Sequence, residues 1–145
     1  MATEWYPAVN FYFDVTFSGI SNEGDTKFME VSGLEMTLET KPFKEGGSQH
    51  TYFLPVKTKF KHLVLKRGFY KDSELIQWCK DTFQSYKIDL KDVTIKLLDE
   101  KGIPIATWTA INAYPVKWNM SNFNSNKNEI AIETLELAFE TLIRQ

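Results

Sequence analysis

Two alternating segments around a short polar turn constrain the fold of this chain more than any other feature. Every second residue is apolar in Val93–Leu97, and the alternation continues in Ile103–Ile111. A period of two places successive side chains on opposite faces of a β-strand. Because Asp99–Gly102 supplies turn-forming residues between the two segments, the pattern predicts an antiparallel β-hairpin.

Further strands are predicted in the first half of the chain. The segments that suggest strands are Val9–Phe17, Lys27–Val31, Glu35–Phe43 and Phe60–Gly68. The first of them alternates strictly, and the Gly-, Ser- and Asn-rich run that follows it, Gly19–Asp25, is typical of a turn. Pro42 lacks an amide hydrogen, which disfavours a central position in a sheet for its strand.

The segment Lys44–Gln49 contains paired glycines and predicts a loop. Two interpretations remain open. The simpler one, which the sequence alone favours, is the tip of a hairpin. The other is a loop that reaches a neighbouring subunit.

One helix is predicted from about Ser73 to Tyr86. Asp72 or Ser73 can cap it, because a short side-chain oxygen accepts hydrogen bonds from the amides of the first turn. Apolar residues then follow a spacing of three to four, at Leu75, Ile76, Cys79 and Phe83. Cys79 lies within this stripe, so we interpret it as a small core residue rather than a nucleophile.

The segment Glu129–Leu142 fits two patterns. Its apolar residues match helical spacing, and its Glu, Ala and Leu content favours a helix. Leu135, Leu137 and Phe139 alternate equally well with more polar residues, as in a strand. Residue pattern alone leaves both structures open.

The predicted elements define a fold class. A chain of 145 residues suits a single domain, 1–145, with a core that needs no disulfide or metal. Its 14% aromatic content favours β structure. Six to eight strands and one helix predict a mainly β fold, a sandwich or barrel of two packed antiparallel sheets with one external helix.

Catalytic motifs are missing from the sequence. The two histidines, His50 and His62, have no second His or Cys at metal-ligand spacing, so neither a metal site nor a cofactor is expected. No Gly-x-Ser-x-Gly elbow, phosphate-binding glycine motif or dinucleotide fingerprint occurs. We therefore predict that the chain is not an enzyme.

Charge, cysteine content and hydropathy limit the binding partners and the cellular location that we expect for the chain. The net charge is −2 with interspersed signs, so no specific nucleic-acid binding is expected. The basic stretch Lys57–Arg67 predicts the solvated face of a strand. With one cysteine, no membrane-spanning run and no signal-peptide pattern, we expect synthesis and assembly in the cytoplasm, without membrane insertion by this chain.

Several short motifs, in order along the chain, resemble motifs of the tail-tube proteins of contractile phages and phage-like injection systems. Phe28–Leu34 (FMEVSGL) resembles the family's EVSGL, and Leu63–Gly68 (LVLKRG) resembles LTLKRG. The other matching motifs and residues are Glu45–Gly47 with Leu54–Pro55, the helix residue Trp78, and the closing segments Asn112–Trp118 and Ile132–Leu137. Val56 departs from the glycine that usually follows Leu-Pro in this family, which leaves the local turn in question.

The resemblance implies a structural role. Members of this family form hexameric rings that stack into a hollow inner tube, which a contracting sheath drives through a target envelope. The implied fold is two packed, mainly antiparallel sheets closing toward a barrel with an external helix, which makes Glu129–Leu142 a strand. The implied partners are copies of the chain itself, a sheath protein, baseplate or initiator tube proteins, tube-terminating proteins and cargo in the lumen. The chain would end in a phage-like particle, either extracellular or cell-anchored.

The resemblance also suggests contact residues. We expect Lys41–His50 to reach toward the adjacent ring and the terminal segments Thr3–Val9 and Leu142–Gln145 to make further contacts. The residues predicted at the subunit interface are Trp5, Tyr6, Lys41, Pro42, Lys44, Glu45, Gly46, Gly47 and His50.

Two alternatives accompany this prediction. One is a monomeric or small-oligomer β-barrel that binds a ligand in a cavity lined by the abundant aromatic residues. The other is a minor tube protein that initiates the tube at its baseplate end.

Overall fold

Ten β-strands and one α-helix form the chain in its computed structural model, which describes residues 12–21, 23–47, 49–121 and 131–145. The strands before the helix are β1 (Tyr12–Phe17), β2 (Lys27–Phe28), β3 (Glu30–Ser32), β4 (Met36–Lys44), β5 (Thr51–Phe60) and β6 (Leu63–Gly68). The helix α1 (Glu74–Ser85) is followed by β7 (Lys91–Leu98), β8 (Pro104–Met120), β9 (Ile132–Ala138) and β10 (Thr141–Arg144). A short 3-10 turn, Glu23–Asp25, precedes β2.

The long strand β8 joins the two halves of the main sheet. Its first part pairs with β7, its second part pairs with β9, and β10 pairs with residues 108–111. The strand order is β2-β1-β7-β8-β9-β6-β3, and each of these pairings is antiparallel. The sheets pack as a sandwich, as predicted, but they do not close into a barrel. The barrel form of the prediction is therefore wrong.

The hairpin predicted from the alternating pattern is confirmed as β7–β8. Val93 lies opposite Ala110, and both side chains are fully buried. Asp99 shapes the turn, because its Oδ1 accepts hydrogen bonds from the amides of Lys101 and Ile103 at 2.9 Å each. Gly102 has a φ of +79°, a conformation that glycine adopts without steric cost.

The core lies between the two sheet halves and beneath α1. Its buried members come from β1, β2, β6, β7, β8, β9 and β10, together with one face of the helix. They are Val15, Phe17, Phe28, Leu63, Leu65, Leu75, Trp78, Cys79, Val93, Ile95, Ala110, Ala113, Leu135, Leu137 and Leu142.

The helix is confirmed with the predicted cap. Ser73 Oγ accepts a hydrogen bond from the amide of Ile76, and Tyr86 ends the helix in the left-handed conformation. The buried face differs from the predicted stripe. Trp78 is buried together with Leu75 and Cys79, whereas Phe83 at the end of the helix is exposed. The helix therefore packs through its first two turns.

The C-terminal segment forms strands, β9 and β10, and not a helix. Leu135 and Leu137 are buried and pair with β6, where Leu65 and Leu63 lie opposite them. Burial of one side of β9 and pairing on both of its edges outweigh the helical propensity of its Glu, Ala and Leu residues.

The predicted strand Phe60–Gly68 is two strands. The long strand β5 ends at Phe60, and β6 begins at Leu63 after a break at Lys61 and His62. The prediction that Lys57–Arg67 lies on the solvated face of a strand is also wrong for Arg67, which is only 4% exposed.

Candidate functional site

The strands β4 and β5 form a separate two-stranded sheet, called here the ribbon (Met36–Lys44 and Thr51–Phe60), which projects from the body of the domain. Nearly every residue in it is exposed. Its root is fixed, since the ring of Phe60 packs on Phe139 at 5.5 Å between centroids. An isolated two-stranded hairpin is marginally stable in water. Contact with a partner would therefore stabilise this long, exposed ribbon.

The predicted contact residues of the segment Lys41–His50 all lie in the outer half of the ribbon. Lys41, Pro42 and Lys44 end β4, and the remaining ones, Glu45, Gly46, Gly47 and His50, belong to the tip. The tip is a hairpin turn, as the simpler interpretation predicted. Gly47 has a φ of +83°, and, chain neighbours aside, no atom of the described residues lies within 4 Å of a Cβ built on Gly46 or Gly47.

The predicted contact residues Trp5 and Tyr6, and all of Thr3–Val9, lie outside the described residues. The other terminal segment, Leu142–Gln145, forms most of β10 and its end. Leu142 is buried in the core, whereas Ile143 is exposed on the same strand. Leu142 is thus part of the subunit interior.

The two faces of the ribbon differ near its root. Alternation along β4 places Met36 and Leu38 on one face near the root, and the register places Phe53, opposite Pro42 in the outer half, on the same face. The exposed fractions of Met36, Leu38 and Phe53 are 47%, 57% and 65%. The other face carries charge near the root: Glu39 approaches Lys59 at 3.3 Å and Lys57 at 3.8 Å. The ribbon is therefore amphipathic at its root.

Val56 occupies an irregular position in the ribbon. Glu39 lies opposite Lys57 and Thr40 lies opposite Pro55, so Val56 has no partner in the register and forms a β-bulge. The Leu54–Val56 stretch, which the resemblance left open as a turn, is thus a bulge within a strand. Bulges bend a strand and increase its twist, which sets the direction of the outer half of the ribbon.

A buried ionic cluster lies under the start of α1. Arg67 donates from Nη1 to Asp25 Oδ1 at 2.7 Å, from Nε to Glu133 Oε2 at 3.1 Å and from Nη2 to Ser73 Oγ at 2.7 Å. Asp25 Oδ2 accepts from the amides of Glu74 at 2.8 Å and Leu75 at 3.3 Å. Acceptors at a helix N-terminus satisfy amides that have no partner within the helix.

The cluster connects distant parts of the chain. The guanidinium also lies 5.5 Å from the centroid of the Phe28 ring, and Trp118 Nε1 donates to Glu133 Oε1 at 3.1 Å. Its members hold the 3-10 turn, β6, β8, β9 and α1 in fixed relation. The residue pattern did not predict this cluster. The one local signal was a charged residue, Glu133, at a position that shares its face with Leu135 and Leu137.

The buried thiol of Cys79 has a shifted pKa. Burial raises the pKa of the Cys79 thiol to about 12; the carboxylate of Glu133 adds to the rise, and Arg67 opposes it. Such a thiol stays protonated near neutral pH and is a poor nucleophile. Within the ranges that the structure describes, no group of three or more His, Cys, Asp or Glu side chains could hold a metal ion. The helix described here is too short and too polar to cross a membrane.

Comparisons with a family model and with solved structures both match this chain to proteins of contractile, phage-like systems. The family model described as T4-like virus tail tube protein gp19 matches residues 9–143. A chain in the six-fold-symmetrised cryo-EM structure of the anti-feeding prophage baseplate is 31% identical, with a TM-score of 0.80, covering 100% of this chain and 97% of that one. A chain in the sheath–tube complex of the PVC extracellular contractile injection system, in the extended state, is 27% identical, with a TM-score of 0.74 and coverage of 97% and 92%.

A more distant solved structure shares the fold. Hcp1 from Flavobacterium johnsoniae has a TM-score of 0.62 at 18% identity, covering 92% of this chain and 94% of that one. A search of curated protein sequences gave no match.

Proposed function

The chain belongs to the family of the T4-like virus tail tube protein gp19, and we propose that it builds the inner tube of a contractile injection system as stacked hexameric rings. The chain is a structural tail-tube subunit, not an enzyme. The observation that carries the proposal is the exposed ribbon, whose apolar side chains face water in a single copy. Monomeric proteins seldom expose a large contiguous apolar surface without a partner for it.

Ring formation would use surfaces that a single copy leaves open. The outer edges of β3 and β10 have no neighbouring strand in the described part of the chain, and such edges offer backbone groups for pairing. A heterologous contact that closes by rotation uses one such surface on each side of every subunit. Six copies then form a ring without leaving an open end.

Stacking of rings would multiply a modest contact. If each subunit contributes about 2 kcal/mol, six subunits contribute about 12 kcal/mol, which corresponds to roughly nanomolar affinity. We propose the outer half of the ribbon, from Lys41 to His50, for this axial contact. The charged residues of its tip support that role, and the space around Gly46 and Gly47 is open to a partner. The N-terminal residues Trp5 and Tyr6 are proposed as further contacts.

The proposed partners follow from the similar proteins. They are found in a baseplate, in a tube-terminating cap and in a sheath–tube complex. We therefore propose that this chain meets a sheath, baseplate proteins and a tube terminator, and encloses cargo in its lumen. We propose assembly in the cytoplasm and delivery in a phage-like particle, and the extracellular system among the relatives supports an extracellular particle.

One observation favours a second candidate function. Identity to a chain of a baseplate structure, 31%, exceeds the 27% identity to a chain of a sheath–tube complex. A subunit that initiates the tube at the baseplate would have the same fold and would form a ring without extending it. The alternative of a barrel that binds a small ligand is not favoured, because the sheets do not close.

Negative-stain electron microscopy of the purified chain over a range of concentrations tests the proposal. We expect six-fold rings at low concentration and hollow tubes at high concentration. Rings that never elongate would favour the initiator function. A chain that stays monomeric at high concentration, by light scattering as well, would refute both.

A further inference from the structure

A second exposed apolar surface lies on the opposite flank of the domain from the ribbon. It follows the end of α1 and consists of Phe83, Tyr86, Ile88 and Leu90, called here the linker patch. Tyr86 is 86% exposed and Ile88 is 61% exposed. The run 86–90 belongs to no helix or strand, so local secondary structure does not explain why its apolar side chains face water.

The register of the main sheet places the two surfaces on opposite flanks. The linker patch leads into β7 at Lys91, which lies opposite Ala113 of β8. One residue further along β8, Tyr114 lies opposite Ala138 of β9. The preceding residue of β9, Leu137, lies opposite Leu63, where the ribbon enters β6. The linker patch and the ribbon root therefore lie at the two ends of a run of four adjacent strands, β7, β8, β9 and β6, with β8 and β9 between them.

This arrangement suits a contact between copies. Two different surfaces on opposite flanks generate a heterologous contact, in which each copy gives one surface and receives the other. A contact of a surface with itself would instead limit the assembly to a dimer. Repetition of the heterologous contact adds copies in a constant direction, as a ring or stack requires.

The charge of the ribbon also favours a second copy as its partner. The ribbon with its tip, residues 36–60, carries four lysines and two glutamates, whereas the rest of the chain carries 13 basic and 17 acidic residues. A positive ribbon is attracted to the negative body of another copy. Such complementarity speeds association and disfavours contact between two ribbons.

Resting on the proposed tube function, we infer that the apolar face of the ribbon, with Met36, Leu38 and Phe53, packs on the linker patch of a neighbouring copy. The binding energy of this contact comes from the apolar root and middle of the ribbon, and the polar tip adds direction. The opposite face near the root, with Glu39, Lys57 and Lys59, stays in water, where its ion pairs contribute little to stability.

Cysteine cross-linking of the full chain tests this inference. The variant with Leu38→Cys and Ile88→Cys should give disulfide-linked dimers and higher species in oxidised assemblies on a non-reducing gel. Each single variant should remain a monomer on the same gel, because Cys79 is buried. The matched control pairs Thr37→Cys, on the other face of the ribbon, with Ile88→Cys and should cross-link much less.

A second measurement tests how much the contact contributes to the free energy of assembly. Leu38→Ser and Ile88→Ser should each raise the critical concentration of assembly about tenfold, whereas Thr37→Ser should leave it unchanged. Normal rings or tubes without a Leu38–Ile88 cross-link, or with equal cross-linking of the Thr37 pair, would overturn the inference and leave the tube function standing. A wild-type chain that stays monomeric would overturn the tube function and this contact with it.

Discussion

Arg67 and Asp25, 42 positions apart in the chain, are joined by a hydrogen-bonded ion pair of 2.7 Å in which both side chains are buried. Glu133 and Ser73 accept from the same guanidinium. The cluster thus holds two carboxylates to one guanidinium in the interior, and its stability depends on every partner being present.

Replacement of Arg67 by methionine should therefore destabilise the subunit strongly. Two buried carboxylates would lose their cation, which costs about 3–5 kcal/mol. Urea denaturation of the wild type and of Arg67→Met measures the difference. Lys66→Met, at the neighbouring more exposed position, is the matched control and should change the free energy of unfolding by less than about 1 kcal/mol. A small effect of Arg67→Met would show that the cluster is not required for the fold.

The cap of α1 gives a smaller expected effect. Ser73→Ala removes the acceptor of the Ile76 amide and one partner of Arg67. We expect a loss of about 1–2 kcal/mol of unfolding free energy, measured by thermal or urea denaturation. Ser85→Ala at the last helical residue is the control and should be nearly neutral. Equal effects of the two substitutions would contradict a capping role for Ser73.

The ribbon root should be sensitive to a single methyl group. Gly33 has a φ of +90°, and a Cβ built there would lie 2.1 Å from the carbonyl oxygen of His62. Gly33→Ala should cost about 1–3 kcal/mol from the backbone conformation alone, and the contact adds to this. Gly46→Ala at the tip, where space is open, is the control. Circular dichroism melts compare the two, and similar melting temperatures would contradict the prediction.

Stability should fall at high pH because of Cys79. The pKa of the thiol is raised from an ordinary 9.0 to about 12 in the folded chain. Between these values the unfolded thiol loses its proton and the folded one does not, so rising pH favours unfolding. The free energy of unfolding should fall by about 1.4 kcal/mol per pH unit above pH 9, relative to Cys79→Ala. Parallel pH profiles of the two chains from pH 8 to 10.5 would refute this assignment.

The tip of the ribbon should affect tubes more than rings. Glu45→Lys reverses a charge there, and Gly46→Pro restricts the backbone path. We expect both variants to form hexamers and to give fewer tubes by electron microscopy, because the tip is proposed to meet the adjacent ring. Tubes of normal length and yield from both variants would remove the tip from that contact.

The sequence predicted elements well where one face of a strand meets the core. The β7–β8 hairpin follows from alternation because Val93 and Ile95 are buried while Thr94 and Lys96 are less so. The strand β5 was not predicted as a separate element, because both faces of the ribbon are exposed and its residues do not alternate between buried and exposed positions. The C-terminal strands were ambiguous because their pairing partners lie far away in the chain.

The candidate site was also predicted only in part. Paired glycines correctly indicated a hairpin tip at Gly46 and Gly47. Burial of Arg67 could not be predicted, since charged residues in an alternating segment are usually solvated and its partners lie 42 and 66 positions away. The linker patch has no periodicity, so only its exposure in three dimensions marks it as a surface.

The 17-residue strand β8 has a mechanical consequence. It is hydrogen-bonded along β7 in one half of the sheet and along β9 in the other, and Asn112 adopts a left-handed conformation in the irregular stretch near the end of the β7 pairing. Hydrogen bonds of a ladder run perpendicular to their strands, so a pull along β8 loads many of them in shear simultaneously. Force applied along β8 would therefore be shared between the β7 ladder and the β9 ladder of the same subunit.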